Sequence, residues 1–288
     1  MTGTATRNGF SVRAMRPEEI ALALDWAAAE GWNPGFHDGH CFAAVDPQGF
    51  WLGELGAEPA ATISVVNYDN RFAFLGFYIV RPDLRGRGYG WRTWQAAIAH
   101  ARARCIGLDG VIAQQANYQK SGFALAYRNI RFGGIVKAPA PVTGVDGIVE
   151  LGSVPFSRVL ADDATVFPAP RASFLRAWID APGHVGRALI RDGKLAAWGV
   201  IRPARRGRKI GPLVADGRAA AESVVDALIG TGCGGEIFLD LPEPNPEGVA
   251  LAQARGLAPV FETARMYRGS VSAGAVHRVF GVTTFELG

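Results

Sequence analysis

Phe74-Leu75-Gly76-Phe77-Tyr78-Ile79-Val80 is a continuous apolar run, and Arg81-Pro82-Asp83-Leu84-Arg85-Gly86-Arg87-Gly88-Tyr89-Gly90 follows it as a basic, glycine-rich turn. The run predicts a strand, and the turn opens a helical stretch over residues 88–103. Glycines admit backbone conformations closed to other residues and let main-chain N–H groups approach a ligand. The positive end of the helix dipole faces the same place, where Arg85 and Arg87 add charge. These features predict a pyrophosphate cradle. The plain alternative is a glycine-rich βα turn with no ligand, but strand, arginines and helix start converge here. A dinucleotide fingerprint needs G-x-G-x-x-G opening a βαβ unit, whereas this turn reads G-x-G-x-G after a run of strands. The Gly-Lys-Ser/Thr of a Walker loop is absent.

Upstream, Phe10–Ala14 reads as a short strand and residues 17–30 as an amphipathic helix, with Pro17 at its start and Gly31 past its end. A turn-rich loop covers residues 31–39. Apolar stretches at 49–55, 60–68 and 71–80, separated by turn signals, predict an antiparallel meander. Downstream we expect a strand at 110–114, a short helix around Tyr118 and a strand at 124–132. Residues 137–144 are rich in Pro and Gly and predict a linker. The plan then repeats weakly: 51–66 lies against 188–201, 77–90 against 210–220, and 111–124 against 237–258. Shared order argues for duplication. The expected fold class is α/β (α+β), with two tandem units, residues 1–136 and 145–288, each a mixed, mostly antiparallel sheet flanked by helices.

At Arg85, Gly88 and Gly90 the chain resembles the GNAT superfamily of N-acetyltransferases, whose turn here reads Arg/Gln-x-x-Gly-x-Gly/Ala. The resemblance covers residues 10–132, element order included. It implies acetyl-CoA as cosubstrate, its pyrophosphate on Arg85, Gly86, Arg87, Gly88, Tyr89 and Gly90. The pantetheine arm would pair with the backbone of Tyr78, Ile79 and Val80 like an added strand where the sheet splays. In Asn117-Tyr118-Gln119-Lys120-Ser121-Gly122-Phe123 a tyrosine stands four residues before a Gly-Phe pair. The resemblance puts Tyr118 beside the CoA sulfur as general acid for the departing thiolate, and Asn117 on the pantetheine amides. A helix tyrosine packing its ring into the core is the other reading of Tyr118. The loop holding Trp32, Asn33 and Asp38 lies where the superfamily forms its acceptor pocket, although a rigid turn with Trp32 buried fits the residues equally. No Asp or Glu occurs in 71–80, so the general base stays open among a water relay, Glu30, Asp38 and Glu54.

The second unit resembles the degenerate domain that follows the catalytic one in some two-domain members. At the pyrophosphate position it reads Ala215-Asp216-Gly217-Arg218-Ala219-Ala220, and Ala252 stands four residues before Gly256. With a carboxylate in place of the arginine, only one glycine and no tyrosine at the matching places, it is expected to bind no CoA. Glu243, Asn245 and Glu247 either line a cleft or are exposed loop charge.

Hydrophobic residues at 49% and charged residues at 19% describe a soluble globular chain. The N-terminal residues show no secretory pattern, no apolar run approaches bilayer length, and three cysteines are too few for a disulfide framework. A cytoplasmic protein is expected. A net charge of +4 favours an anionic ligand, but no basic stripe interleaves with aromatics, so nucleic acid is not an expected partner. The densest basic patch, residues 202–209, contains Pro203 and Gly207 and predicts a solvated hairpin tip. His37, His40 and Cys41 lack a second ligand pair, so no metal is expected. The resulting expectation is an N-acetyltransferase acting on a small-molecule amine or a lysine-bearing acceptor; the alternative is a non-catalytic acyl-CoA sensor or binding module.

Overall fold

The computed structural model describes residues 9–136, 146–232, 235–271 and 274–288. The expected linker at 137–144 lies outside the described residues. The first unit runs β1 (Phe10–Ala14), α1 (Ile20–Ala29), α2 (Asp38–Ala43), β2 (Phe50–Leu55), β3 (Glu58–Asn67), β4 (Phe72–Val80), α3 (Tyr89–Ala101), β5 (Cys105–Val111), α4 (Gln115–Lys120) and β6 (Ala124–Val136). The second runs β7 (Ile148–Glu150), α5 (Phe156–Asp163), α6 (Ala172–Asp180), β8 (Val185–Arg191), β9 (Lys194–Pro203), β10 (Arg208–Ala215), α7 (Arg218–Ile229), β11 (Gly235–Pro242), α8 (Pro246–Ala254), β12 (Ala258–Arg268) and β13 (Val279–Gly281). Strand β5 begins five residues before the expected 110–114. Gly107 and Asp109 break its apolar run, and a single 3-10 turn occupies Ile112–Gln114.

Among the described residues the strands form one sheet, ordered β1-β2-β3-β4-β5-β12-β6-β11-β10-β9-β8-β7, with β13 on β10. Each unit thus closes with the other's last long strand. Strand β12 pairs with β5, Thr263–Arg268 against Val111–Ile106, and β6 pairs with β11, Asn129–Val136 against Pro242–Gly235. The edges of β5 and β11 that would otherwise be open are paired with strands of the opposite unit.

The units also share a core. Phe42 and Phe77 of the first pack with Phe174 and Trp178 of the second, where the Phe42 and Trp178 rings stack 6.3 Å apart. On the opposite face Trp94 and Ala97 of α3 cover Ile63, Val65 and Leu75.

The basic patch does form a hairpin whose tip, residues 205–207, is exposed, but its base is docked and buried. Ala204 bridges to Gly35, Arg205 N–H donates to Pro34 O at 3.1 Å, and Arg202 and Lys209 are buried at 1% and 2% exposure. Their counter-charges come from distant sequence: Asp38 receives Arg202 Nε at 2.9 Å, and Asp240 lies 3.6 Å from Lys209 Nζ.

Candidate active site

Strands β4 and β5 run parallel only over Phe72–Leu75 against Cys105–Leu108 and then part. The separation begins at a bulge. Ser64 pairs with Gly76 and Thr62 with Ile79, so Phe77 and Tyr78 together oppose Ile63. Phe77 takes the left-handed conformation, φ +49°, and its carbonyl accepts from Thr62 Oγ1 at 2.9 Å. One extra residue exchanges the faces of the strand: Ala73 and Leu75 join the core beneath α3, whereas Phe77 and Ile79 join the core shared between units. The cleft that opens holds a cavity of about 390 Å³. Tyr78, Ile79, Val80, Arg85, Gly86, Gly88, Tyr89, Gly90, Tyr118 and Trp32 line it, and the second unit adds Phe261, Thr263, Phe285 and Glu286.

Gly86 and Gly88 have φ of +75° and +81°, and a Cβ on either would meet nothing within 4 Å. Glycine there serves the backbone conformation and leaves the approach open. Gly88 caps α3, whose first N–H groups lack intrahelical partners. Gly90 has another reason: its Cβ would lie 2.6 Å from Val80 Cγ2 and 2.8 Å from the Tyr78 hydroxyl. Arg85 donates from Nε to Val80 O at 3.0 Å and pairs through Nη2 with Glu30. Arg87 is exposed and stands outside the cavity wall.

Tyr118 packs its ring in the core and also faces the cavity. Its ring lies on Gly110, where a Cβ would come 2.2 Å from Cε2, and stacks on Trp94 with centroids 5.9 Å apart. It also lines the cavity, and burial pushes its phenol pKa up. Asn117 instead donates to Gln114 Oε1 at 2.8 Å, exposed and outside the wall.

Of the three residues expected at an acceptor pocket, Trp32 alone reaches the cavity. Asn33 is committed to the docked hairpin, donating to Arg206 O at 3.0 Å and accepting from Arg206 N–H at 2.8 Å. Asp38 is fully buried, receiving Arg202 Nε and, at 2.8 Å, Gly35 N–H. Burial works to raise its pKa, but the Arg202 guanidinium outweighs that and holds it below the usual carboxylate range. The other carboxylates considered as bases are also paired, Glu30 with Arg85 and Glu54 with Arg13.

Glu286 was not found from sequence. It is 2% exposed, lines the cavity, and neither carboxylate oxygen has a hydrogen-bond partner among the described residues. Burial raises its pKa. Asp109 also lines the cavity, but Arg265 holds both its oxygens at 2.8 and 2.6 Å and Asn129 donates to Oδ1 at 2.8 Å. No local pattern marks Glu286, because its place depends on where residues 282–288 cross the first unit.

The matching cleft of the second unit is filled by the chain. Strands β10 and β11 pair over Arg208–Ile210 against Ile237–Leu239, beyond which β13 pairs with Leu213 and Val214. At the start of α7, Glu247 Oε2 accepts the Arg218 N–H at 3.1 Å, so a carboxylate stands where an anion would bind. Asp216 is tied to Arg278 at 2.8 Å. Asn245 is neither cleft lining nor free loop. It caps α8, accepting from Gly248 N–H at 3.1 Å and donating to Val279 O at 2.9 Å. Among the described residues no group of three His, Cys, Asp or Glu is placed to hold a metal, and no helix is long and apolar enough to cross a membrane.

Residues 18–123 match the model described as the acetyltransferase (GNAT) family, and residues 159–281 match that of a second acetyltransferase (GNAT) domain. Over 273 residues the chain is 34% identical to holothin acyltransferase of Pseudoalteromonas sp. (strain SANK 73390), covering 94% of this chain and 92% of that protein. The fold is shared with a solved candidate acetyltransferase of Pyrococcus horikoshii at TM-score 0.83 and 24% identity, covering 99% of this chain and 98% of that one. It is also shared with a tandem GNAT protein from the clavulanic acid biosynthesis pathway, at TM-score 0.62 and 14% identity, covering 91% and 100%. The chain belongs to the GNAT family of acyltransferases and carries two of its domains in tandem.

Proposed function

We propose that this chain is an N-acetyltransferase, moving an acetyl group from acetyl-CoA to a primary amine on a small molecule or a lysine-bearing acceptor. One observation carries the reading: the cleft between β4 and β5 ends on a turn whose Gly86 and Gly88 stand in open space at the start of α3. In this proposal Arg85 and the first N–H groups of α3 hold the pyrophosphate, with Arg85 exchanging Glu30 for phosphate and Arg87 adding charge at the rim. The backbone of Tyr78, Ile79 and Val80 pairs with the pantetheine amides. As the amine attacks the thioester carbon, Tyr118 gives its phenol proton to the departing thiolate. A buried phenol stays protonated at neutral pH, as an acid must. Residues 1–136 form the catalytic domain and residues 145–288 a degenerate one, the chain binds one CoA, and it works in the cytoplasm.

The sensor reading is favoured by a single observation, the lack of any Asp or Glu in β4. One assay separates the two. Thiol release from acetyl-CoA is measured across a panel of primary amines that includes holothin, the compound named in the 34% identical relative. Turnover supports the transferase; saturable acetyl-CoA binding without thiol release replaces it with the sensor.

A further inference from the structure

The proposed reaction lacks a base, and the cavity wall offers three carboxylates: Glu30, Asp109 and Glu286. Glu30 is a third exposed and sits on Arg85 at the phosphate-binding end of the cleft, and Asp109 accepts three hydrogen bonds from Arg265 and Asn129. Glu286 differs from both, being buried with two unpartnered oxygens. An unsatisfied buried carboxylate is costly to keep, and the cost is understandable where the missing partner is a ligand that comes and goes.

Resting on the acyltransferase reading, we propose that Glu286, carried by the second unit, is the base that takes the proton from the acceptor amine in the first unit's site. The amine nitrogen attacks the thioester carbonyl carbon. The C–N bond forms, the C–S bond breaks, and the electron pair leaves on sulfur, which takes its proton from Tyr118. The proton shed by the nitrogen passes to a Glu286 oxygen. Exchange with solvent returns one proton to Tyr118 and removes one from Glu286, giving amide and free thiol.

The surroundings fit that role. Thr284 Oγ1 accepts the Leu287 N–H at 2.9 Å and Tyr68 donates its hydroxyl proton to Leu287 O at 2.8 Å, fixing the backbone on both sides of Glu286. Phe285 and Phe261, which share the cavity wall with it, are braced by the Arg131 guanidinium at 4.8 and 5.7 Å. Four charged groups act on the carboxyl: Lys209 of β10 and Arg131 of β6 favour its anion, while Asp38 of α2 and Asp240 of β11 oppose it. Burial exceeds them and leaves the carboxyl a stronger base than an exposed glutamate.

The test uses the full chain, acetyl-CoA and whichever panel amine the wild type acetylates fastest. Glu286→Gln is expected to lower kcat about 10²- to 10⁴-fold, leave acetyl-CoA affinity by calorimetry unchanged, and abolish the fall of kcat at acid pH. In the wild type that fall should lie above the usual glutamate range, and Lys209→Met should move it to still higher pH by removing a cation that favours the carboxylate. Wild-type kcat and pH profile in Glu286→Gln would overturn the inference while leaving the acyltransferase reading intact. A wild type that binds acetyl-CoA yet acetylates no amine overturns both. Should Glu286→Gln fail to fold, the Lys209→Met profile decides, and an unmoved acid limb overturns the assignment.

Discussion

A Cβ on Gly76 would lie 2.2 Å from the carbonyl oxygen of Glu286. Glycine is required at that point of β4 because residues of the second unit cross it. Gly76→Ala should therefore shift the 282–288 segment, cost about 1–3 kcal/mol of stability as overpacking does, and lower kcat more than acetyl-CoA affinity. Denaturant unfolding and thiol release measure the two effects. Wild-type stability and turnover would show that the crossing yields freely.

Arg85→Glu with Gly88→Val should abolish acetyl-CoA binding in a folded chain. One change inverts the charge beside Glu30, and the other puts a branched side chain where φ is +81° and the approach is open. Losing about 3 kcal/mol of charge-assisted contact at Arg85 alone raises Kd about 100-fold, and the branched side chain at position 88 adds a steric block to that. Calorimetry that finds the affinity preserved would remove this turn from the cofactor site.

Tyr118→Phe should reduce kcat about 10²- to 10⁴-fold with little change in acetyl-CoA affinity. The ring keeps its stacking on Trp94, so only the proton is lost. Unchanged turnover would leave Tyr118 as packing and protonation to solvent.

Titration with acetyl-CoA should give one site per chain. The second turn already holds the Glu247 carboxylate on Arg218 N–H, and β13 lies where a pantetheine arm would pair. Two comparable sites would mean that β13 is readily displaced.

Stability should fall as the solution is acidified from about pH 6.5 to about pH 4. His184 is held down to about 4, first by burial and then by the Arg202 charge, against an ordinary value of 6.5. Within that window the unfolded chain binds a proton that the folded one refuses, so each unit of pH lost costs up to about 1.4 kcal/mol. His184→Asn should flatten the slope in paired unfolding curves. Parallel curves would place the acid sensitivity elsewhere.

Element order and family were legible in the sequence because their signals are local. The apolar run into Arg85, Gly86 and Gly88 marks a strand-to-helix turn, and the spacing of Tyr118 from Gly122 and Phe123 marks the short helix. What escaped depends on partners far along the chain. Arg202 and Lys209 read as solvated charge, yet Asp38, 164 residues from Arg202, makes a buried pair possible. The same reach withdrew Asp38 and Asn33 from the acceptor pocket. The bulge at Phe77 was hidden because a non-glycine residue takes its positive φ. Glu286 sits in a stretch whose sequence says nothing about Gly76.

The exchange of β6 and β12 also sets a timetable for synthesis. In the order of synthesis β5 precedes Thr263–Arg268 by more than half the chain, so that edge lacks its native partner until late. Such an edge invites pairing with other strands. A product broken off before residue 258 would carry the whole turn at residues 85–90 and still lack the wall supplied by Phe261, Thr263, Phe285 and Glu286. Premature release would leave an open β5 edge and an incomplete cavity wall.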